Sequence, residues 1–325
     1  MSKKPPLTPV IDHPDYDAEP PIVVTRHHTG SAPCLSWDRY APGGSAPAIA
    51  EIPPLIAEVP PLILVHGASH SAAIYQYWGC YLADLGITVY AVDLRGHGHS
   101  SLPPGQPMRR VSLTDYVADV RQVVQALGLT EGQSVLAGHS LGGGVAQLYA
   151  RRYPIAGLSI LASTTLHRFL AGTFPLAWHA PLVYAQAMLH GPRALFNSSA
   201  KVRALLLDSD ASEVEVEMVY AQMGDETSGT LAASLQYLVQ GVQPLRTAQV
   251  QVVGAGRDSC FSRRSVERCA RDYATEAQFV EEAPHDLMVG RRWQEAADLL
   301  AMFVYHCTPL HVPTSAFPLP RDVAP

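Results

Sequence analysis

A serine between two glycines is the residue of this chain whose surroundings best suit a nucleophile. The sequence Gly-His-Ser-Leu-Gly occupies residues 138–142 and follows a short apolar run over 134–137. Apolar residues then recur at helical spacing, so Ser140 lies where a predicted strand turns into a predicted helix. Such a turn strains the backbone, favours glycine at Gly138 and Gly142, and pushes the hydroxyl toward the free N–H groups of a helix N-terminus. A glycine-rich turn can also be purely structural, so the function of Ser140 depends on its partners.

A base and an orienting acid are available farther along the chain. Asp258 lies in the loop after a predicted strand over 250–253, and His285 follows a predicted strand over 277–280. Taken alone, a histidine or an aspartate in a loop is usually a surface or structural residue. Together, the order Ser140, Asp258, His285 and the position of each after its own strand predict a catalytic triad.

Other titratable residues near these motifs suit catalysis less well. Asp286 is adjacent to His285, and a neighbouring side chain cannot easily reach back to orient the ring. Asp93 comes early in the chain and is expected to hold its own loop, through Arg95. The His139 side chain is expected to point away from the substrate.

The oxyanion formed when the serine attacks needs two N–H donors. Leu141, the residue after the nucleophile, is expected to supply one, and the loop after the first buried strand the other. Ala68 is preferred in that loop because Gly67 lets the chain turn and bring the next amide inward, although the alternative is an ordinary strand-ending turn. The side chain of Ser69 or His70 is expected to reach the pocket, and we take Ser69 as a substrate-binding residue.

The segments that must position these residues alternate between strand and helix. Two short strands, over 22–25 and 34–40, come first. The alternation that follows predicts an α/β fold, in which a mainly parallel sheet is flanked by helices and connected by right-handed crossovers. Its strands are predicted over 62–65, 87–92, 134–137, 157–161, 250–253 and 277–280, and its helices over 72–85, 113–127, 141–152, 262–273 and 292–306.

The alternation of strands and helices breaks over residues 163–248, and this break predicts a helical cap. An insertion after a sheet strand must cover the edge of the sheet where ligands bind in open α/β folds, so Phe169 and Trp178 are predicted to contact the substrate. The acidic run over 208–226 is expected to form a solvent-exposed face. The predicted regions are an N-terminal arm with the first strands over 1–60, the α/β core over 61–162 and 249–307, the cap over 163–248 and an irregular tail over 308–325.

Composition excludes several classes of protein and partner. With 23 Lys and Arg against 29 Asp and Glu, the net charge is −6, and no basic cluster indicates a nucleic-acid partner. No signal-peptide pattern or membrane-length apolar run is found, so a cytoplasmic protein is expected. The five cysteines are scattered and form no C-x-x-C pair, and His97 and His99 lack an evident third ligand, so no metal site or disulfide framework is expected.

These motifs resemble those of the α/β-hydrolase family. The matching pieces are Val-His-Gly-Ala over 65–68, Asp-Leu-Arg-Gly-His-Gly over 93–98, the glycine-flanked Ser140, Asp258 and His285, and the resemblance spans residues 62–306. It implies a side-chain triad that needs no cofactor. Epoxide hydrolases and dehalogenases of this family use an aspartate nucleophile, so Ser140 argues against both.

The resemblance leaves the reaction open, because similar sites serve esterases, lipases, lactonases, lyases and carbon-carbon hydrolases. We predict a serine hydrolase that cleaves a small or medium apolar carboxylic ester or lactone through an acyl-enzyme. The alternatives are a lyase or a carbon-carbon bond hydrolase that uses the same triad, and a non-enzymatic protein that keeps a ligand pocket. Acyl length, leaving group, stereochemistry and oligomeric state remain open.

Overall fold

Eight strands form one sheet in the computed structural model, which describes residues 23–30, 32–42, 59–169, 178, 181–182, 185–186, 192–227, 241–247 and 249–309. The strands are β1 (Val23–His28), β2 (Ser36–Ala41), β3 (Leu62–Val65), β4 (Val89–Asp93), β5 (Val135–His139), β6 (Gly157–Leu161), β7 (Val250–Ala255) and β8 (Ala277–Val280).

The sheet is mixed at one edge and parallel elsewhere. Its strand order is β1-β2-β4-β3-β5-β6-β7-β8. The β2 strand pairs antiparallel with β1 and β4, whereas the strands from β4 to β8 in that order are parallel neighbours. This arrangement confirms the predicted mainly parallel sheet.

Helices cover both faces of this sheet. The described α-helices are α1 (Gln76–Asp84), α2 (Leu113–Ala126), α3 (Leu141–Arg152), α4 (Ser199–Leu206), α5 (Glu213–Gln222), α6 (Arg263–Asp272) and α7 (Trp293–His306). Because the crossovers are right-handed and the strand order reverses direction after β4, α2, α3 and α6 lie on one face. The α1 and α7 helices pack against each other on the opposite face.

The sequence-based bounds agree closely with the structure around the nucleophile. The predicted helix over 141–152 and strand over 157–161 are α3 and β6. The predicted helix over 72–85 is instead divided, because residues 72–75 form a 3-10 turn before α1 begins. Every residue of β3, β5 and β6 is buried, as expected for strands covered on both faces.

Parallel pairing brings the loops of the predicted site to one edge of the sheet. The C-terminal ends of β3, β5, β7 and β8 lie at the same edge, and the loops after them carry residues 66–70, Ser140, Asp258 and His285. In the predicted cap, α4 and α5 pack against each other. Residues 1–22 of the predicted N-terminal region, residues 170–177 and 228–240 of the predicted cap, and residues 310–325 of the predicted tail lie outside the described residues. The division into domains stays a prediction. No helix in the described ranges is long and apolar enough to cross a membrane.

Candidate active site

Ser140 occupies a strained turn between β5 and α3. Its φ of 50° and ψ of −117° lie in a region that non-glycine residues rarely adopt. Three hydrogen bonds hold its backbone: Ser140 N donates to Leu161 O at 2.9 Å, and Ser140 O accepts from Gly143 N at 3.0 Å and from Ser163 Oγ at 2.7 Å. Strain that persists because its surroundings enforce it is typical of functional sites.

The glycines beside Ser140 are required for close approach. A Cβ on Gly138 would lie 2.2 Å from the Gly142 carbonyl oxygen, and a Cβ on Gly142 would lie 2.2 Å from the Val65 carbonyl oxygen. The sequence argument predicted glycine at both positions from backbone strain, but the left-handed φ belongs to Ser140 itself. A Cβ on Gly67 would lie 3.2 Å from Ser140 Cβ, so the loop after β3 lies directly beside the nucleophile turn.

His285 and Asp258 form a buried pair. His285 Nδ1 lies 2.9 Å from both carboxylate oxygens, and the side chains are 3% and 1% exposed. Asp258 Oδ1 also accepts from the amides of Cys260 and Phe261, at 2.7 and 2.9 Å. Since a carboxylate accepts at Nδ1, that nitrogen carries the proton of the neutral ring and Nε2 is left as the basic atom.

The charge of Asp258 makes His285 a stronger base. Burial lowers the pKa of His285, but the charge and hydrogen bond of Asp258, together with the charge of Asp286, outweigh burial and raise it. Among the described residues no hydrogen bond joins the Ser140 hydroxyl to His285. Such contacts are often long in unliganded enzymes and tighten when substrate binds.

His139 links the nucleophile turn to the base. Its Nε2 donates to the His285 carbonyl oxygen at 3.0 Å, and the two rings lie 4.9 Å apart. Burial, together with the nearby His285, lowers the pKa of His139 to about 3, so its ring is neutral. His139 therefore packs between Gly67 and the base.

The backbone amides of the two predicted oxyanion donors form no hydrogen bond within the part of the chain that the structure describes. Leu141 is the first residue of α3, where helix geometry leaves the amide without an intrahelical acceptor. Across the described residues, the amides of Ala68 and Leu141 donate to no protein acceptor. Ser69 follows Ala68 with a left-handed φ of 63° and is fully buried, and its Oγ has no hydrogen-bond partner among the described residues.

The predicted substrate-contact residues of the cap lie in different surroundings. Phe169 packs edge-on against Phe261 with ring centroids 5.4 Å apart, and the Phe261 ring lies 5.8 Å from that of His285. Trp178 is 75% exposed. The structure therefore brings Phe169 to the side of the site where the base lies, and the role of Trp178 stays a prediction.

A second histidine-aspartate pair, which the sequence did not reveal, lies beside the triad. His70 Nε2 is 3.0 Å from Asp286 Oδ2, and His70 Nδ1 is 2.9 Å from the Ala68 carbonyl oxygen. Burial raises the pKa of Asp286, but the charge and hydrogen bond of His70 outweigh it and lower the pKa, so Asp286 is ionised. Both ring nitrogens of His70 therefore face oxygen atoms of the protein. The pair thus joins the loop after β3 to the loop that carries the base.

The prediction that the whole acidic run over 208–226 forms a solvent-exposed face is wrong at Glu226, which is buried. Glu213 and Glu217 are exposed, as expected, but the Glu226 side chain is only 1% exposed. Its carboxylate accepts from the Ser69 amide at 3.0 Å and from the Tyr116 hydroxyl at 2.7 Å. Acidic composition alone could not reveal partners from such distant segments.

Asp93 holds its loop, but not through Arg95 as predicted. Its carboxylate accepts from the amides of Ala72 and His99, at 2.7 and 2.9 Å. Arg95 instead pairs with Asp119, at 2.6 Å. The sequence argument chose the nearest cation, whereas the guanidinium reaches across to α2.

Two groups of described residues have donor atoms close enough to share a metal ion. They are His139, His285 and Asp286, and Asp258, Cys260 and His285. Each contains His285, whose Nδ1 is bonded to Asp258, so these groups belong to the hydrogen-bond network of the base.

Comparisons with known proteins identify the family of the chain. Residues 60–289 match the family described as serine aminopeptidase, S33. A monoacylglycerol lipase of Mycolicibacterium smegmatis is 28% identical over 228 residues, which cover 65% of this chain and 75% of that enzyme.

Solved structures agree on the fold. The N-acyl homoserine lactonase AidH, complexed with N-butanoyl homoserine, has a TM-score of 0.62 at 19% identity, with 87% of this chain and 97% of that one covered. An esterase from Exiguobacterium antarcticum has a TM-score of 0.62 at 17% identity, with 85% and 98% covered. The predicted fold and hydrolase class are thereby confirmed, and the chain belongs to the serine aminopeptidase S33 family of α/β-hydrolases.

Proposed function

We propose that the protein is a serine hydrolase that cleaves a small or medium apolar carboxylic ester or lactone through an acyl-enzyme. The observation that carries this proposal is the buried Asp258–His285 pair, on the same sheet edge as the strained Ser140 turn. The similarity to a monoacylglycerol lipase supports an ester as substrate. A lactone is a cyclic ester and would be opened by the same steps.

Each group of the triad has a defined role in this mechanism. Ser140 Oγ attacks the ester carbonyl while His285 Nε2 takes the hydroxyl proton, and Asp258 stabilises the resulting imidazolium. The proton then passes to the leaving alcohol as the acyl-enzyme forms. Water deprotonated by His285 attacks the acyl-enzyme, and the returning proton restores Ser140.

Two backbone amides would hold the oxyanion in both tetrahedral intermediates. The amides of Ala68 and Leu141 are unengaged among the described residues, and Leu141 begins α3, whose N-terminus favours negative charge. Phe169, beside Phe261, would form part of an apolar wall for the acyl group. Trp178 and the buried Ser69 are proposed as further substrate contacts from their positions in the chain.

A panel of esters tests the proposal. Wild-type protein should hydrolyse 4-nitrophenyl esters graded by acyl length, or unsubstituted lactones, and should be labelled by a fluorophosphonate probe. Ser140→Ala should lose both reactions while keeping its circular dichroism spectrum. Ser212→Ala removes only the exposed cap of α5 and should retain both.

The outcomes separate the reaction classes. Unchanged turnover by Ser140→Ala would contradict the proposal. Labelling of Ser140 without hydrolysis of any ester or lactone would instead favour a lyase or a carbon-carbon bond hydrolase with the same triad.

A further inference from the structure

Glu226 is a buried carboxylate that follows α5 and lies far in sequence from every triad loop. Its Oε2 accepts from the Ser69 amide at 3.0 Å, and its Oε1 accepts from the Tyr116 hydroxyl and the Thr227 amide, each at 2.7 Å. A carboxylate is costly to bury unless it is paired and hydrogen-bonded. These partners satisfy Glu226 and fix both of its oxygens.

Residues 224–226 form hydrogen bonds with both backbone polar groups of Ser69. The Ser69 amide donates to Glu226, and the Ser69 carbonyl oxygen accepts from the Gly224 amide at 2.7 Å. Ser69 has a φ of 63°, which a residue with a Cβ adopts only when its surroundings impose it. Residues 224–226 therefore hold the conformation of the loop after β3.

That conformation determines where the Ala68 amide points. The Ser69 N–H that Glu226 accepts belongs to the Ala68–Ser69 peptide, and the Ala68 N–H belongs to the preceding Gly67–Ala68 peptide. The two peptide planes meet at the Ala68 Cα, so a shift of the Ser69 peptide would be relayed through the Ala68 backbone dihedrals to the proposed oxyanion donor. Oxyanion donors act through short, preorganised contacts, and small displacements weaken them. A residue that fixes Ser69 can therefore influence turnover without contacting substrate.

The charge of Glu226 is matched by a histidine. A lone carboxylate near the oxyanion would oppose the negative charge that forms there. His97 Nε2 lies 3.3 Å from Glu226 Oε2, and both side chains are almost fully buried. Burial works against both charges, yet each partner offsets it, so the pKa of His97 is raised and that of Glu226 is lowered. When both partners are charged, the pair is neutral as a whole.

We propose that Glu226 is a positioning residue for catalysis, which holds Ser69 so that the Ala68 amide is aimed at the oxyanion, with His97 balancing its charge. This inference rests on the proposed function, in which the Ala68 amide is an oxyanion donor. It connects the helical segment that contains α5 to the chemistry at the sheet edge.

Two variants separate positioning from stability. Glu226→Ala removes the acceptor of the Ser69 amide, and kcat for a 4-nitrophenyl ester should fall about 10- to 100-fold with KM within about twofold. Tyr116→Phe removes a different hydrogen bond of the same carboxylate and leaves the Ser69 contact, so Tm should fall while kcat stays within about threefold of wild type. Glu217→Ala, an exposed residue of α5, should change neither.

A transition-state analogue gives a second readout. A trifluoromethyl ketone forms an oxyanion adduct with the nucleophile, whereas the matching methyl ketone remains largely unreacted. Glu226→Ala should weaken inhibition by the trifluoromethyl ketone in proportion to its loss of kcat, and inhibition by the methyl ketone should be unchanged. If Glu226→Ala does not fold, Glu226→Gln is the test. Its neutral amide oxygen accepts more weakly from Ser69 than the carboxylate does, so kcat should fall about two- to tenfold and inhibition by the trifluoromethyl ketone should weaken with it.

Two results would overturn the proposal. One is wild-type kcat in folded Glu226→Ala, or in Glu226→Gln together with unchanged inhibition by the trifluoromethyl ketone. The other is an equal loss of kcat in Tyr116→Phe and the Glu226 variant, which would indicate a purely structural role. Wild-type protein without any ester or lactone turnover would contradict the proposed function as well, whereas turnover at the wild-type rate in folded Glu226→Ala contradicts this inference alone.

Discussion

Two adjacent histidine-aspartate pairs lie at the same sheet edge, and their geometry differs in one respect. Asp258 and His285 are 2.9 Å apart, Asp286 and His70 are 3.0 Å apart, and all four side chains are almost fully buried. His285 uses one ring nitrogen for its carboxylate, whereas His70 uses both, the second toward the Ala68 carbonyl oxygen.

The second ring nitrogen decides what each pair can do. A histidine with a free Nε2 can take and return a proton, as a general base must. A histidine whose two nitrogens both face fixed oxygen atoms has no free nitrogen for that step, and it joins the two segments that carry those oxygen atoms. A buried carboxylate beside an imidazole is therefore insufficient to identify a base, and we infer a proton-transfer role for His285 and a structural one for His70.

Matched substitutions at the two carboxylates test this distinction, and the largest effect on turnover is expected at the triad. Asp258→Asn should lower kcat by about 10⁴-fold, because the amide cannot stabilise the imidazolium and favours the wrong tautomer of His285. Stopped-flow or long steady-state assays of an activated ester measure the loss. Retention of more than a tenth of the wild-type kcat would remove Asp258 from the mechanism.

The same change at the second pair should act on stability. Asp286→Asn removes the carboxylate that faces the buried ring of His70, and breaking such a buried pair should cost about 3–5 kcal/mol of unfolding free energy. The kcat of the folded variant should fall by less than about tenfold, since no proton passes through this pair. Urea denaturation and kinetics on the same sample provide both numbers. A loss of turnover as large as that of Asp258→Asn would make the two pairs equivalent and contradict the distinction.

The pH profile sharpens the comparison further. Because the pKa of His285 is raised, the acid limb of kcat/KM should lie above the value of about 6.5 for a free histidine. The base acts in its neutral form, so activity falls as the pH drops through this pKa. The free energy of unfolding depends on pH in the opposite direction. The stabilisation from the charged His285 is fully present below the pKa of His285 in the unfolded state, and it is lost as the pH rises through the pKa of His285 in the folded state.

Asp286→Asn is the informative control for this profile. The charge of Asp286 is the smallest of the causes that raise the pKa of His285, so the limb should move slightly to lower pH in this variant. An acid limb below that of free histidine in wild type, or one that moves upward in Asp286→Asn, would show that another group limits the rate.

The sequence revealed the elements and residues whose signals are local. Alternating apolar runs predicted the parallel sheet, and the glycines around Ser140 predicted the turn that the structure contains. Asp258 and His285 could be proposed because each follows its own strand. Their pairing in space agrees with that argument, although their roles stay predictions.

The residues that brace the site were not predictable in this way. His70 and Asp286 are separated by 216 positions, and Ser69 and Glu226 by 157. Whether a carboxylate is buried depends on donors that distant segments bring to it, and neither periodicity nor composition records such pairings. Glu226 was therefore assigned to an exposed acidic face together with its neighbours.

The smallest effect is expected when the second pair is replaced as a whole. Exchanging both members of a buried ion pair for apolar residues of similar volume is often neutral, because no charge is left unpaired. His70→Met with Asp286→Leu should therefore unfold within about 1 kcal/mol of wild type, although Asp286→Asn alone is strongly destabilised. The difference between the change in unfolding free energy of the double variant and the sum of the changes in its single variants gives the coupling energy of the pair.

The corresponding apolar replacement of Asp258 and His285 should abolish turnover, because apolar side chains cannot transfer a proton. If the double variant is as unstable as Asp286→Asn, the role of His70 extends beyond charge pairing to its bond with Ala68, and the second pair must then be counted among the groups that shape the oxyanion site.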